Sequence, residues 1–144
     1  MKRFRFPLAR VHGLRSQQER IARRALGAAL SEQARLERAL QQLRADLDVC
    51  RDEESGAAGA LASALAAGLR RREFALLRRV VEAQQATEIA RENYRVRRTE
   101  LRGLDRLRDA RREEWRQECA REEQAELEEL VRIRAGMQRR EAVS

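Results

Sequence analysis

The stretch Gln33-Ala34-Arg35-Leu36-Glu37-Arg38-Ala39-Leu40-Gln41-Gln42-Leu43-Arg44-Ala45-Asp46-Leu47-Asp48-Val49-Cys50 decides the fold. Gln33, Leu36, Leu40, Leu43, Leu47 and Cys50 recur at alternating steps of three and four. That is the heptad spacing by which two helices wind left-handedly about each other. The positions between them are mostly charged or amide side chains, which keep the other faces in water. Traced backwards, the stripe passes through Ala29, then Ala25 or Leu26, Ile21 or Ala22, Gln18, Leu14 and Val11. The steps Ala25 to Ala29 to Gln33 are both of four, and they predict a stutter that relaxes the supercoil locally. A first helix is expected over about 8–52. Pro7 is tolerated at its start, where the backbone N–H groups lack partners.

Continuity is expected to fail in Arg51-Asp52-Glu53-Glu54-Ser55-Gly56-Ala57-Ala58-Gly59, where two glycines remove helix propensity. The uncharged segment Ala60–Leu69 reads as a short helix beside the turn, with Leu61, Leu65 and Leu69 on one face and Gly68 at its end. A second long helix is expected over about 70–140. Its heptad positions fall on Val80, Thr87, Tyr94, Leu101, Arg108 and Trp115, with Leu76, Ala83, Ala90, Arg97, Leu104 and Arg111 between. Gly103 costs about 1 kcal/mol against alanine but carries no turn signal. The expected fold is all-α: one domain over 1–144, a long antiparallel two-helix coiled-coil hairpin with a short helix near the turn. At about 1.5 Å per residue the arms would span roughly 68 and 107 Å, so the second helix outruns the first.

Composition narrows the alternatives. The chain has 144 residues, 39% of them charged, with 24 alanines, one proline and seven glycines. Few turn residues and few β-branched residues argue against Rossmann, barrel and sandwich folds. Abundant Leu, Ala, Gln, Glu and Arg argue against disorder. The basic start Met1–Pro7 is followed by no apolar run of signal-peptide length, and nothing approaches the ~20 apolar residues of a membrane span. Cys50 and Cys119 lie far apart in no metal-binding motif. They are expected to pack as small, semi-apolar side chains, with a structural zinc site or a disulfide as the lesser readings.

The net charge is +8, and all but one of the 32 basic residues are arginine. Residues 1–24 hold eight basic groups and one acidic group, residues 91–116 ten arginines against six acids, and residues 117–129 six glutamates against one arginine. Arg98/Arg102, Arg102/Arg106 and Arg108/Arg112 stack like charges four residues apart, at a cost of a few tenths of a kcal/mol each. An arginine-rich but ordinary solvated surface accounts for the pattern; so does a surface meeting an acidic protein partner. Nucleic acid is the weaker reading, because the recognition signatures of its binders are absent. No phosphate loop, HExxH motif or nucleophile elbow is present, and His12 is the sole histidine. No enzymatic activity and no cofactor are expected.

At both ends the chain resembles the flagellar FliJ family of type III export proteins. The residues are Phe4-Arg5-Phe6-Pro7-Leu8-Ala9-Arg10-Val11 with Leu14-Arg15, then Arg98-Thr99-Glu100-Leu101, Leu104-Asp105-Arg106-Leu107, Arg111-Arg112-Glu113-Glu114, Arg121-Glu122-Glu123-Gln124, Leu127-Glu128-Glu129 and Arg132. The resemblance implies an antiparallel coiled coil that binds the hexameric flagellar export ATPase, promotes its assembly and activity, and links it to the cytoplasmic part of the export gate. It further implies contact with export chaperones and a cytoplasmic location peripheral to the cell membrane. The paired ends, about Phe6–Arg24 and Arg102–Arg140, would enter the ATPase ring. Arg15, Arg102, Arg108, Arg112, Trp115, Glu123 and Gln124 are the implied contacts there; Phe74, Leu77, Val81 and Gln85 would meet the gate. Independently of the resemblance, Phe74, Leu77 and Val81 make a stripe offset by one from Leu76 and Val80, a wider apolar face than one seam requires; either all five pack in the core, or a partner groove takes Phe74 and Val81. The competing reading is a generic coiled-coil scaffold or tether.

Overall fold

In the computed structural model, which describes residues 3–53 and 59–144, two long helices pack antiparallel. They are α1, Ala9–Glu53, and α2, Gly59–Val143. No strand occurs among the described residues. Pro7 lies in the turn just before α1, and the Phe6 carbonyl accepts from the Ala9 amide at 3.1 Å. Of the expected break over residues 51–59, residues 54–58 lie outside the described residues, while Arg51, Asp52 and Glu53 close α1 and Gly59 opens α2. The packing divides into two units, Arg15–Thr99 and Met1–Leu14 with Glu100–Ser144.

In the unit Arg15–Thr99 the core is a cluster of Leu36, Leu40, Val80 and Ala83, with Leu76 and Leu77 packed against it. Arg44 Nε donates to Glu73 Oε1 at 2.9 Å, and an Arg79 guanidinium nitrogen lies 3.8 Å from Glu32. These contacts cross between the two helices and agree with the antiparallel register that the core packing sets. Thr87, buried in the same seam, donates its hydroxyl to the Ala83 carbonyl at 2.9 Å, so its polar atom is satisfied.

Two expectations are corrected in this unit. The stutter is absent. The shielded positions of α1 run Ala22, Leu26, Ala29, Gln33, Leu36, so the steps alternate without interruption, while Ile21 is 59% exposed and Ala25 faces water. Leu26 buries more apolar surface than Ala25 and keeps one continuous heptad phase. The second correction concerns the alanine-rich segment. It is no separate short helix but the opening turns of α2, which passes through Gly68 unbroken and with no positive φ. Alanine is the best helix former, and one glycine costs only about 1 kcal/mol against it. Nor do its leucines form the packed face. Ala62 and Ala66 are buried, whereas Leu61 and Leu65 are exposed. The heptad phase carried back from Val80 through Leu76, Glu73 and Leu69 falls on the alanines.

In the unit Met1–Leu14 with Glu100–Ser144, the described N-terminal residues pack on the middle of α2. His12 Nε2 donates to Asp105 Oδ1 at 2.7 Å, and the rings of Phe4 and Trp115 meet at 5.9 Å with a 53° tilt. Leu101, Leu104, Arg108, Trp115 and Cys119 are partly shielded there. From Ala120 to the end of α2 every residue is exposed. The helix outruns its cover, as the length arithmetic predicts.

Candidate partner-binding surfaces

In the unit Arg15–Thr99, the seam turns polar toward the start of α1. Gln18 Oε1 accepts from Arg15 at 3.1 Å and from Arg97, on α2, at 3.4 Å. Arg15 is therefore half-buried and engaged within the pair of helices. One turn on, Glu19 is only 6% exposed and its carboxylate takes a hydrogen bond from Arg23 at 3.1 Å. Arg23 is held further toward its charged form, first by its hydrogen bond to Tyr94 and next by the charge of Glu19. Tyr94 also accepts from Arg98 at 2.8 Å, and that guanidinium lies 5.8 Å from its ring centre. Apolar periodicity cannot see this layer. The signal that could have found it was Tyr94 and Arg97 at heptad positions beside Gln18.

The gate candidates lie in the same unit and separate into two kinds. Phe74 is 77% exposed, and Val81 and Gln85 are also in water, whereas Leu77 is half-buried against the leucine core. Steps of seven, eight and seven place Ile89 and Val96 on the side of Phe74 and Val81, and both are exposed. These two extend the apolar stripe beyond the residues that the sequence had marked.

The other candidates lie in the second unit. Arg102 and Arg112 are exposed. Arg108 is half-buried, with its guanidinium 3.5 Å from Asp105 and 3.4 Å from Asp109. Arg111, placed on the heptad stripe, is instead exposed and paired with Glu114 at 3.0 Å. A shallow cleft against Trp115 is lined by Phe4, Pro7, Arg111 and Glu118. Glu123 and Gln124 lie on the uncovered part of α2, where Gln124 donates to Glu128 at 3.0 Å.

Cys50, buried at the end of the α1 stripe, and Cys119, half-buried, are free thiols. Among the described residues no three His, Cys, Asp or Glu side chains are grouped to hold a metal ion, and no helix is long and apolar enough to cross a membrane.

No family model, curated protein or solved structure matches the chain. What stands is the architecture: an antiparallel two-helix scaffold of coiled-coil character.

Proposed function

We propose that this chain is a non-catalytic helical scaffold that presents the last part of α2 to a macromolecular partner. One observation carries the reading. Residues 120–143 form an uncovered helix, yet Leu127, Leu130, Val131, Ile133 and Met137 stand in water on it. Clustered apolar side chains on an unpacked helix mark an interaction surface. Removing residues 120–144 is expected to leave the urea midpoint and helicity of the remaining chain unchanged. Cooperative loss of structure in the truncated chain would make the arm part of the fold and end the proposal.

A narrower reading takes the partner to be the flagellar export ATPase ring, with the export gate and export chaperones as further partners, at the cytoplasmic side of the membrane. It rests on the terminal motifs resembling the FliJ family. The exposed Phe74 and Val81 agree with a second contact face. Light scattering coupled to size exclusion, on this chain mixed with the same organism's export ATPase and nucleotide, tests it. A complex of one rod per hexamer is expected, weakened by Arg108→Glu with Arg112→Glu at unchanged helicity. Separate elution at micromolar concentration would remove the export reading and leave the scaffold.

A further inference from the structure

The two packing units differ in how deeply their side chains are set. In the unit Arg15–Thr99 the leucine cluster, Cys50, Ala66 and Thr87 are buried. In the unit Met1–Leu14 with Glu100–Ser144 no described residue is buried, and His12, Leu104 and Trp115 are shielded only in part. The apolar side chains Leu8, Val11 and Leu14 stand in water. Arg3, Arg5 and Arg10 are exposed as well and make no ion pair among the described residues. What attaches this segment sits at its two ends. His12 Nε2 donates to Asp105 Oδ1 at 2.7 Å, and beyond the Pro7 turn the Phe4 ring meets Trp115 at 5.9 Å. Phe4 lies before α1 yet still packs on α2, so this is more than the frayed end of a helix.

We propose that residues 3–14 are a strap that lifts from the middle of α2 and returns while the seam of the unit Arg15–Thr99 stays closed, and that lifting uncovers Leu104 and Trp115. A segment opens most readily where few apolar contacts are buried. Among the described residues every buried side chain belongs to the other unit. That unit has its own ties close to its start: Gln18 accepts from Arg97 of α2 at 3.4 Å, and Glu19 beside it is buried. They hold the seam when the strap is away. A ligand that takes the Trp115 side of α2 must first displace Phe4, so its apparent affinity is lowered by the fraction of chains still strapped. The strap is thus an autoinhibitory cover carried by the chain itself. Neither the arm 120–143 nor the export ring enters this device.

Each unit carries its own reporter. Trp115 is the one tryptophan of the chain, and Cys50 is a buried free thiol of the other unit. The full chain is titrated with urea while Trp115 emission and the rate of Cys50 labelling by a thiol reagent, read by peptide mapping, are followed together. Trp115 emission is expected to shift to the red, and the shift to be complete, where Cys50 still labels as slowly as in water. At a urea concentration within that early change, Phe4→Ala should raise the ratio of uncovered to covered Trp115 about tenfold and leave Cys50 labelling as it was. Asp105→Asn, which weakens the His12 bond and keeps the Phe4 contact, should act in the same direction. Leu40→Ala should do the converse, speeding Cys50 labelling without moving the early change. Unchanged Cys50 labelling in the Phe4 variant shows that its seam is folded. One urea midpoint shared by both reporters overturns the proposal. So does Phe4→Ala if it leaves the Trp115 change in place, or if it speeds Cys50 labelling as much as it uncovers Trp115.

Discussion

Glu32 takes two hydrogen bonds from Arg35, at 2.8 and 2.7 Å, and lies 3.8 Å from Arg79 of the facing helix. The hydrogen bonding by Arg35 is the main reason its carboxyl stays below the ordinary glutamate value of 4.5. Glu92 is lowered in the same direction, first by the hydrogen bonding of Arg95. A carboxyl whose folded pKa is depressed adds stability above its unfolded value, and that stability is lost as pH falls through the folded value. Both groups are solvated, so the effect is small and screened by salt. Glu32→Gln with Glu92→Gln should therefore lose less stability than the parent chain as pH falls below 4.5. Urea midpoints at pH 7 and pH 3 measure this; equal acid losses in the two proteins would contradict it.

At the scale of the helix, side-chain size decided what could be read in advance. The stripe from Leu36 to Cys50 and the heptad from Val80 to Trp115 were legible because their phase repeats over many turns. The alanine-rich opening of α2 misled because leucine draws attention there, while burial follows the phase set by the rest of the helix. Ala62 and Ala66 are the buried side chains at that end, so a larger one there has little room. Ala66→Leu, at a site 2% exposed, is expected to cost about 1–3 kcal/mol through overpacking. Leu65→Ala, at a site 55% exposed, should change stability by less than about 0.5 kcal/mol. Denaturant titration of both separates the two phases, and the opposite ranking would restore the leucine face. Glu19 and the His12–Asp105 bond stayed illegible, because each needs the facing helix to give a polar side chain a place in the seam.

At the scale of the whole molecule, the sequence supported an antiparallel pair of helices of unequal length, and the structure has that form. The exposure of the candidate contact residues was legible only in part. Phe74 and Val81 announced themselves as a surplus apolar stripe, but Leu77 proved to be packed on the core. The arginines gave no such signal, since a local ion pair and a partner contact leave the same pattern in the sequence. Backbone amides in 120–143 should exchange with solvent faster than those in 76–101, which belong to packed turns of the same helix. Hydrogen exchange at low protein concentration measures the difference. Uniform protection along α2 would mean that the arm is already covered.

The contacts differ widely in how much chain they close. Arg44 and Glu73 are 29 residues apart, whereas His12 and Asp105 are 93 apart. The entropic cost of the longer closure exceeds that of the shorter by about 1 kcal/mol. Folding should therefore zip outward from the leucine cluster nearest the connection, with the contacts of the N-terminal residues forming last. Leu40→Ala would slow folding, while Phe4→Ala would chiefly speed unfolding. Chevron kinetics of the two variants would show which limb moves, and a slowed folding limb for Phe4→Ala would reverse the order.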